Sequence, residues 1–79
     1  MEKPIAIIVG VGDGLSASLA RRLSPDYELH LCARSSDKLR AVADETGAAM
    51  HLLDGTDAGA TRALFDGVPR APRVVIYNP

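Results

Sequence analysis

The chain has 79 residues, 47% hydrophobic and 24% charged, with a formal net charge of −1. That length allows one small domain, of a size that buries only about 60% of its unfolded surface. The near-neutral charge, with Arg21-Arg22 as the only adjacent basic pair, leaves no electrostatic case for nucleic acid or for an anionic membrane as partner.

The first predicted element is the strand "IAIIV" at 5–9, apolar throughout, as a strand covered on both faces should be. It is far too short for a signal-peptide core or a membrane span. Gly10, Gly12 and Gly14 follow. Leu15, Leu19 and Leu23, with Ala20 beside them, then share one face of a helix that ends near Ser24 and Pro25. The second strand, "YELHLCA" at 27–33, alternates more and suits a less covered position. Its Cys32, the single cysteine, reads as a small buried hydrophobe; no internal disulfide is possible, and a reducing, cytoplasmic setting is expected. His30, and His51 further on, have no ligand-spaced partners and receive no chemistry.

Ser35-Ser36 can cap a second helix, whose stripe is Leu39, Val42, Ala43 and Thr46 and whose C-cap is Gly47. The third strand is "AAMHLL" at 48–53. Thr56-Asp57 can cap a third helix with the stripe Ala60, Ala63, Leu64 and Val68, ended by Gly67 and Pro69. The last strand is "RVVIY" at 73–77, whose "VVIY" is apolar throughout, like the first strand.

Strands alternating with helices require crossovers and a parallel sheet. The fold class is therefore α/β: a three-layer Rossmann-like half-domain, one domain over 1–79, with four parallel strands and three helices. Right-handed crossovers favour the strand order 3-2-1-4 over one with strand 3 beside strand 1. The first two helices then cover one face and the third covers the other. Strand 4 becomes an apolar edge beside a thinly covered face, so a homo-oligomer through that edge or face is expected.

The glycine cluster has two readings, a tight structural turn or a phosphate-binding turn. In the second, glycines let the chain reverse, let the backbone approach a pyrophosphate and let the helix lie close to the strand, while the helix N-terminus offers free N–H groups. The pattern G-x-G-x-x-G fails at Leu15. G-x-x-x-G-x-G fits, with Gly10 and Gly14 in place and Ser16 at the third glycine. No lysine follows the glycines, so this is not a P-loop. Arg34 stands at the end of the second strand, where NAD sites carry an acid and NADP sites an arginine for the 2′-phosphate. With Ser35 and Ser36 beside it, NADP(H) is favoured over NAD(H); otherwise Arg34 is a solvated loop residue and the serines are caps. Asp54-Gly55 also reads as a turn dipeptide, and Asn78-Pro79 as an end of ordered structure.

The stretches "GVGDGLSASLARRL", "CARSSDKL", "LLD" and "VVIYNP" together resemble the short-chain dehydrogenase/reductase family. The resemblance spans nearly the whole chain but only the N-terminal, cofactor-binding half of that fold. It implies that Gly10 and Gly14 line the pyrophosphate turn, with Gly12 and Asp13 between them and Leu15 next, and with Ser16 replacing the third glycine. It implies that Asp54 contacts the adenine edge. Asn78 matches one asparagine of the family's Asn-Asn-Ala-Gly element, in which Tyr77 replaces the other asparagine, Pro79 replaces the alanine and the glycine is missing.

The family's proton donor is a Tyr-x-x-x-Lys pair. Here Leu31 stands where the lysine partner of Tyr27 would be, and the only lysines are Lys3 and Lys38. No catalytic set is expected from one copy. The reading is thus an NADP(H)-binding half of an oxidoreductase, truncated or standalone and inactive alone. Its rivals are a non-catalytic assembly module with a degenerate nucleotide site, and a gene remnant.

Overall fold

The computed structural model describes residues 3–10, 14–54 and 56–77. In chain order the elements are β1 (Ile5–Val9), α1 (Leu15–Leu23), β2 (Glu28–Ala33), α2 (Ser36–Thr46), β3 (Ala49–Leu52), α3 (Ala58–Gly67) and β4 (Pro72–Tyr77). The strands form one parallel sheet in the order β3-β2-β1-β4, a Rossmann-like α/β arrangement. Ile7 of β1 is in register with His30 on one side and Val75 on the other, and Leu31 is in register with Met50.

Alternation along the strands divides the core in two. Ala6, Ile8, Leu29, Leu31 and Ala33 face Ala17 and Ala20 of α1 and Leu39 and Val42 of α2. On the opposite face Ile5, Ile7, Val9 and Cys32 meet Leu64 of α3, with Leu53, Phe65 and Val68 half-buried around them. Helices α1 and α2 thus cover one face and α3 the other, as expected.

The helix ends follow local chemistry. Ser24 is the C-cap of α1, ahead of Pro25. Gly47 closes α2 in the left-handed conformation at φ 74°, which a side chain would resist. Asp57 caps α3 by accepting from the Ala60 N–H at 3.1 Å. Ser35 occupies the N-cap position of α2, but its side chain makes no cap hydrogen bond.

Four expectations need correction. The expected α1 stripe faces inward only in part: Ala20 is buried and Leu19 and Leu23 pack against the core, but Leu15 is 68% exposed and Ser16 and Ala17 are buried instead. The small residues Ala17 and Ala20 pack against Ala6 and Ile8 in the core, with Leu19 and Leu23 half-buried at its margin. In α3, Ala63 is exposed and Leu64 alone is buried. Strand β2 is buried from Leu29 to Ala33 rather than lightly covered, because it is internal in the sheet. Strand β4, whose "VVIY" reads like a strand covered on both faces, alternates between half-buried Val74 and Ile76 and exposed Arg73, Val75 and Tyr77. It is an edge strand, and the Leu64 contact of α3 falls on β1 and β2. Among the described residues no helix is long and apolar enough to cross a membrane.

Candidate functional site

Strands β2 and β4 lie on opposite sides of β1, so the chain reverses its direction of winding there. In open α/β sheets that crevice, at the carboxyl ends of the strands, is where ligands bind. The β1–α1 turn opens onto it. Gly10 has φ 92° and donates its N–H to the Cys32 carbonyl at 2.8 Å, so the chain leaves β1 still tied to β2. Gly14, the N-cap of α1, has φ 80° and ψ −126°. A β-carbon on Gly14 would meet nothing within 4 Å. The residue is therefore demanded by its backbone conformation and not by a neighbour. The first turn of α1 carries no acidic side chain to offset the positive end of the helix dipole.

Ser16 is 1% exposed and lies on the face of α1 that meets the sheet. Its side chain therefore lies between the helix and the sheet and not on the protein surface. Leu15, beside Gly14, points outward. Gly12, Asp13 and Asn78 lie outside the described residues.

Parallel pairing of β2 with β3 brings the next two groups together. Ala33 is in register with Leu52, and the Leu53 N–H donates to the Ala33 carbonyl at 3.1 Å. Arg34 and Asp54 follow directly at the same sheet end, and both are exposed. The Asp54 carboxylate accepts from the Thr56 hydroxyl at 2.7 Å and from the Thr56 N–H at 2.9 Å. These two bonds, and then the charge of Arg34, hold its pKa below the usual carboxylate range. Ser35, at the N-terminus of α2, completes a run of anion-receptive groups with Arg34. Next to Thr56 an open hollow of about 540 Å³ lies between α3 and the end of β4, with Thr61, Arg62, Phe65 and Tyr77 among its lining residues. Its volume is in the range of small-molecule sites.

Sequence reasoning missed a second cluster, on the α3 side of the sheet. His30 Nδ1 lies 3.0 Å from His51 Nε2, and His30 Nε2 lies 2.9 Å from Glu28 Oε2. Arg70 donates to Glu28 Oε1 at 3.1 Å and also to the Lys3 carbonyl. Glu28 titrates below its ordinary range, chiefly because of the His30 hydrogen bond and secondarily because of Arg70. The pairing depends on strand register, and the only signal in the sequence is that His30, Cys32 and His51 fall on alternate positions of strands that prove adjacent. Cys32, on the same face, is buried, and burial pushes its thiol up to about 11. No group of three or more metal-ligating side chains is assembled among the described residues.

No family model matches the chain, and no curated protein matches it either.

Proposed function

We propose that the chain is the NADP(H)-binding half of a short-chain dehydrogenase/reductase-like oxidoreductase of the cytoplasm, which binds cofactor but does not reduce a carbonyl by itself. The observation that carries this reading is the placement of Gly10 and Gly14, both at positive φ, at the point where the sheet reverses its winding and ahead of a helix α1 whose first turn holds no acidic side chain. In this reading the turn holds the pyrophosphate, Arg34 and Ser35 receive the 2′-phosphate, and Asp54 accepts a hydrogen bond from the adenine amine. Arg34 lies near enough for its charge to help hold Asp54 ionised, so a bound 2′-phosphate and Asp54 share that positive field. Titration with NADPH, followed by calorimetry or by cofactor fluorescence, tests it. Saturable binding, tighter for NADPH than for NADH and levelled by Arg34→Glu, is expected. No binding at about 1 mM cofactor, an affinity worth only about 4 kcal/mol, overturns it.

A second role, assembly, is supported by β4. Val75 is 46% and Tyr77 54% exposed on a face that carries one helix, and the strand has an unpaired edge. We propose a homo-oligomer that covers this surface. Sedimentation should show association that Val75→Lys weakens, and a monomer at high micromolar concentration would refute it.

A further inference from the structure

We propose that His30 and His51 form a one-proton bridge that latches β3 to the sheet and opens when the pair takes up a second positive charge. The ring centroids are 5.2 Å apart with the planes inclined by 25°. With nitrogens 3.0 Å apart that is nearly the greatest centroid separation possible, so the rings meet edge to edge. The two nitrogens point at one hydrogen between them.

The neighbours decide where that hydrogen comes from. An ionised carboxylate only accepts, so His30 Nε2 carries the hydrogen in its bond to Glu28. When both rings are neutral, His30 Nδ1 is a lone pair and the His51 Nε2–H donates to it. When one proton is added, His30 Nδ1 carries the hydrogen and His51 shifts tautomer, so its Nε2 accepts. Either way one hydrogen sits between the rings. When both rings are charged, two N–H donors face each other at a hydrogen-bond distance with no acceptor.

Among the described residues, Glu28 is the one carboxylate bonded to the pair. It offsets the first positive charge and is already shared with Arg70. β1 presents Ile5, Ile7 and Val9 to this face, and α3 presents Leu64 with half-buried Phe65 and Val68. The Cys32 thiol, on the same face, stays neutral because burial raises its pKa. β3 is the edge of the sheet, so no strand beyond it supplies an acid. His30 is 8% exposed, which keeps solvent from screening the repulsion. Burial first, and the charge of His30 second, lower the pKa of His51. A lowered folded value means that the unfolded chain binds more protons once the pH drops below about 6.5, the free imidazole value. The stabilisation is therefore present above that pH and is lost as the pH falls through the folded value.

β3 is the natural element to yield. It has four residues, all half-buried or exposed, and pairs only with β2. It also leads to Asp54, so its release withdraws Asp54 from Arg34.

The test is a ¹⁵N imidazole NMR titration of the full chain from about pH 8 to about pH 5, the interval in which imidazoles change charge. Denaturant unfolding is measured at both ends of that interval. Two coupled proton-uptake steps are expected, with the resonances of β3 shifting at the second. The denaturant midpoint should fall on acidification. His51→Gln, whose amide can donate to His30 without charging, should shrink that fall. Equal acid loss in the two proteins overturns the proposal. So do two imidazoles that titrate independently while β3 stays unchanged. If His51→Gln does not fold, the wild-type titration decides alone.

Discussion

Gly14 and Gly67 provide a matched pair for testing what the glycine turn demands. A β-carbon at either position would meet nothing within 4 Å, so alanine introduces no clash at either. They differ in backbone. Gly14 sits at φ 80° and ψ −126°, a region that residues with a side chain avoid. Gly67 is the last residue of α3 and is not at positive φ. For Gly14→Ala only backbone strain remains, about 1–3 kcal/mol. For Gly67→Ala only the smaller entropy of the unfolded chain and the better helix propensity remain, a gain of about 0.4–1 kcal/mol. The two substitutions therefore have opposite signs although they add the same atoms. A domain of this length is stable by about 4–12 kcal/mol, so Gly14→Ala should still fold.

Urea unfolding reads the difference. With a slope near the small-protein end, about 1 kcal/mol per molar, the Gly14→Ala midpoint should fall by about 1–3 M and the Gly67→Ala midpoint should rise by about 0.4–1 M. Folded Gly14→Ala should also lose NADPH affinity, because relaxing the strained residue re-aims the N–H groups of the turn. An unchanged midpoint for Gly14→Ala at an unchanged slope would refute the claim that backbone conformation is what requires glycine there. A fall for Gly67→Ala of similar size would show that open space alone does not predict the outcome.

The corrected helix faces give a second contrast. Leu39→Ala removes a fully buried side chain from α2 and should cost about 2–5 kcal/mol, whereas Leu15→Ala, at an exposed site, should stay within about 0.5 kcal/mol; thermal or urea unfolding checks both. The Cys32 thiol, pushed up to about 11 by burial, should resist an aromatic disulfide reagent in the native protein and react fully once the chain unfolds. Rapid native labelling near neutral pH would show that the sheet face over Cys32 opens.

Much of the architecture was written in local chemistry. Gly47 and Asp57 act where a left-handed residue and a side-chain acceptor are needed, and Ser24-Pro25 ends α1 because proline cannot continue a helix. With four strands and three crossover helices, handedness did most of the work of ordering the sheet. The candidate site was legible for the same reason. Gly10, Gly14, Arg34 and Asp54 each follow a strand, so parallel topology puts them at one end.

The misread features depend on distance between elements rather than on residue type. α1 carries two stripes, leucines on one side and Ser16, Ala17 and Ala20 on another. Hydrophobicity chooses the leucines, but the face of α1 that meets the sheet is centred on Ser16, Ala17 and Ala20, which are buried. β2 looked half-solvated because of Glu28 and His30, yet only Glu28, at the start of the strand, stays partly exposed, while His30 is buried between its partners Glu28 and His51. β4 is the mirror case: Val75 is apolar but 46% exposed, because β4 is an edge strand and among the described residues α3 alone lies on that face. The histidine bridge requires the β2–β3 register, which places Cys32 rather than His30 directly opposite His51 and leaves the two rings to meet on the diagonal. A shift of one residue would turn His51 to the other face of the sheet and abolish the bridge. The property that makes this cluster a proton sensor therefore rests on pairing between strands, and perturbing the register, more than changing either histidine's neighbours in sequence, is what should silence it.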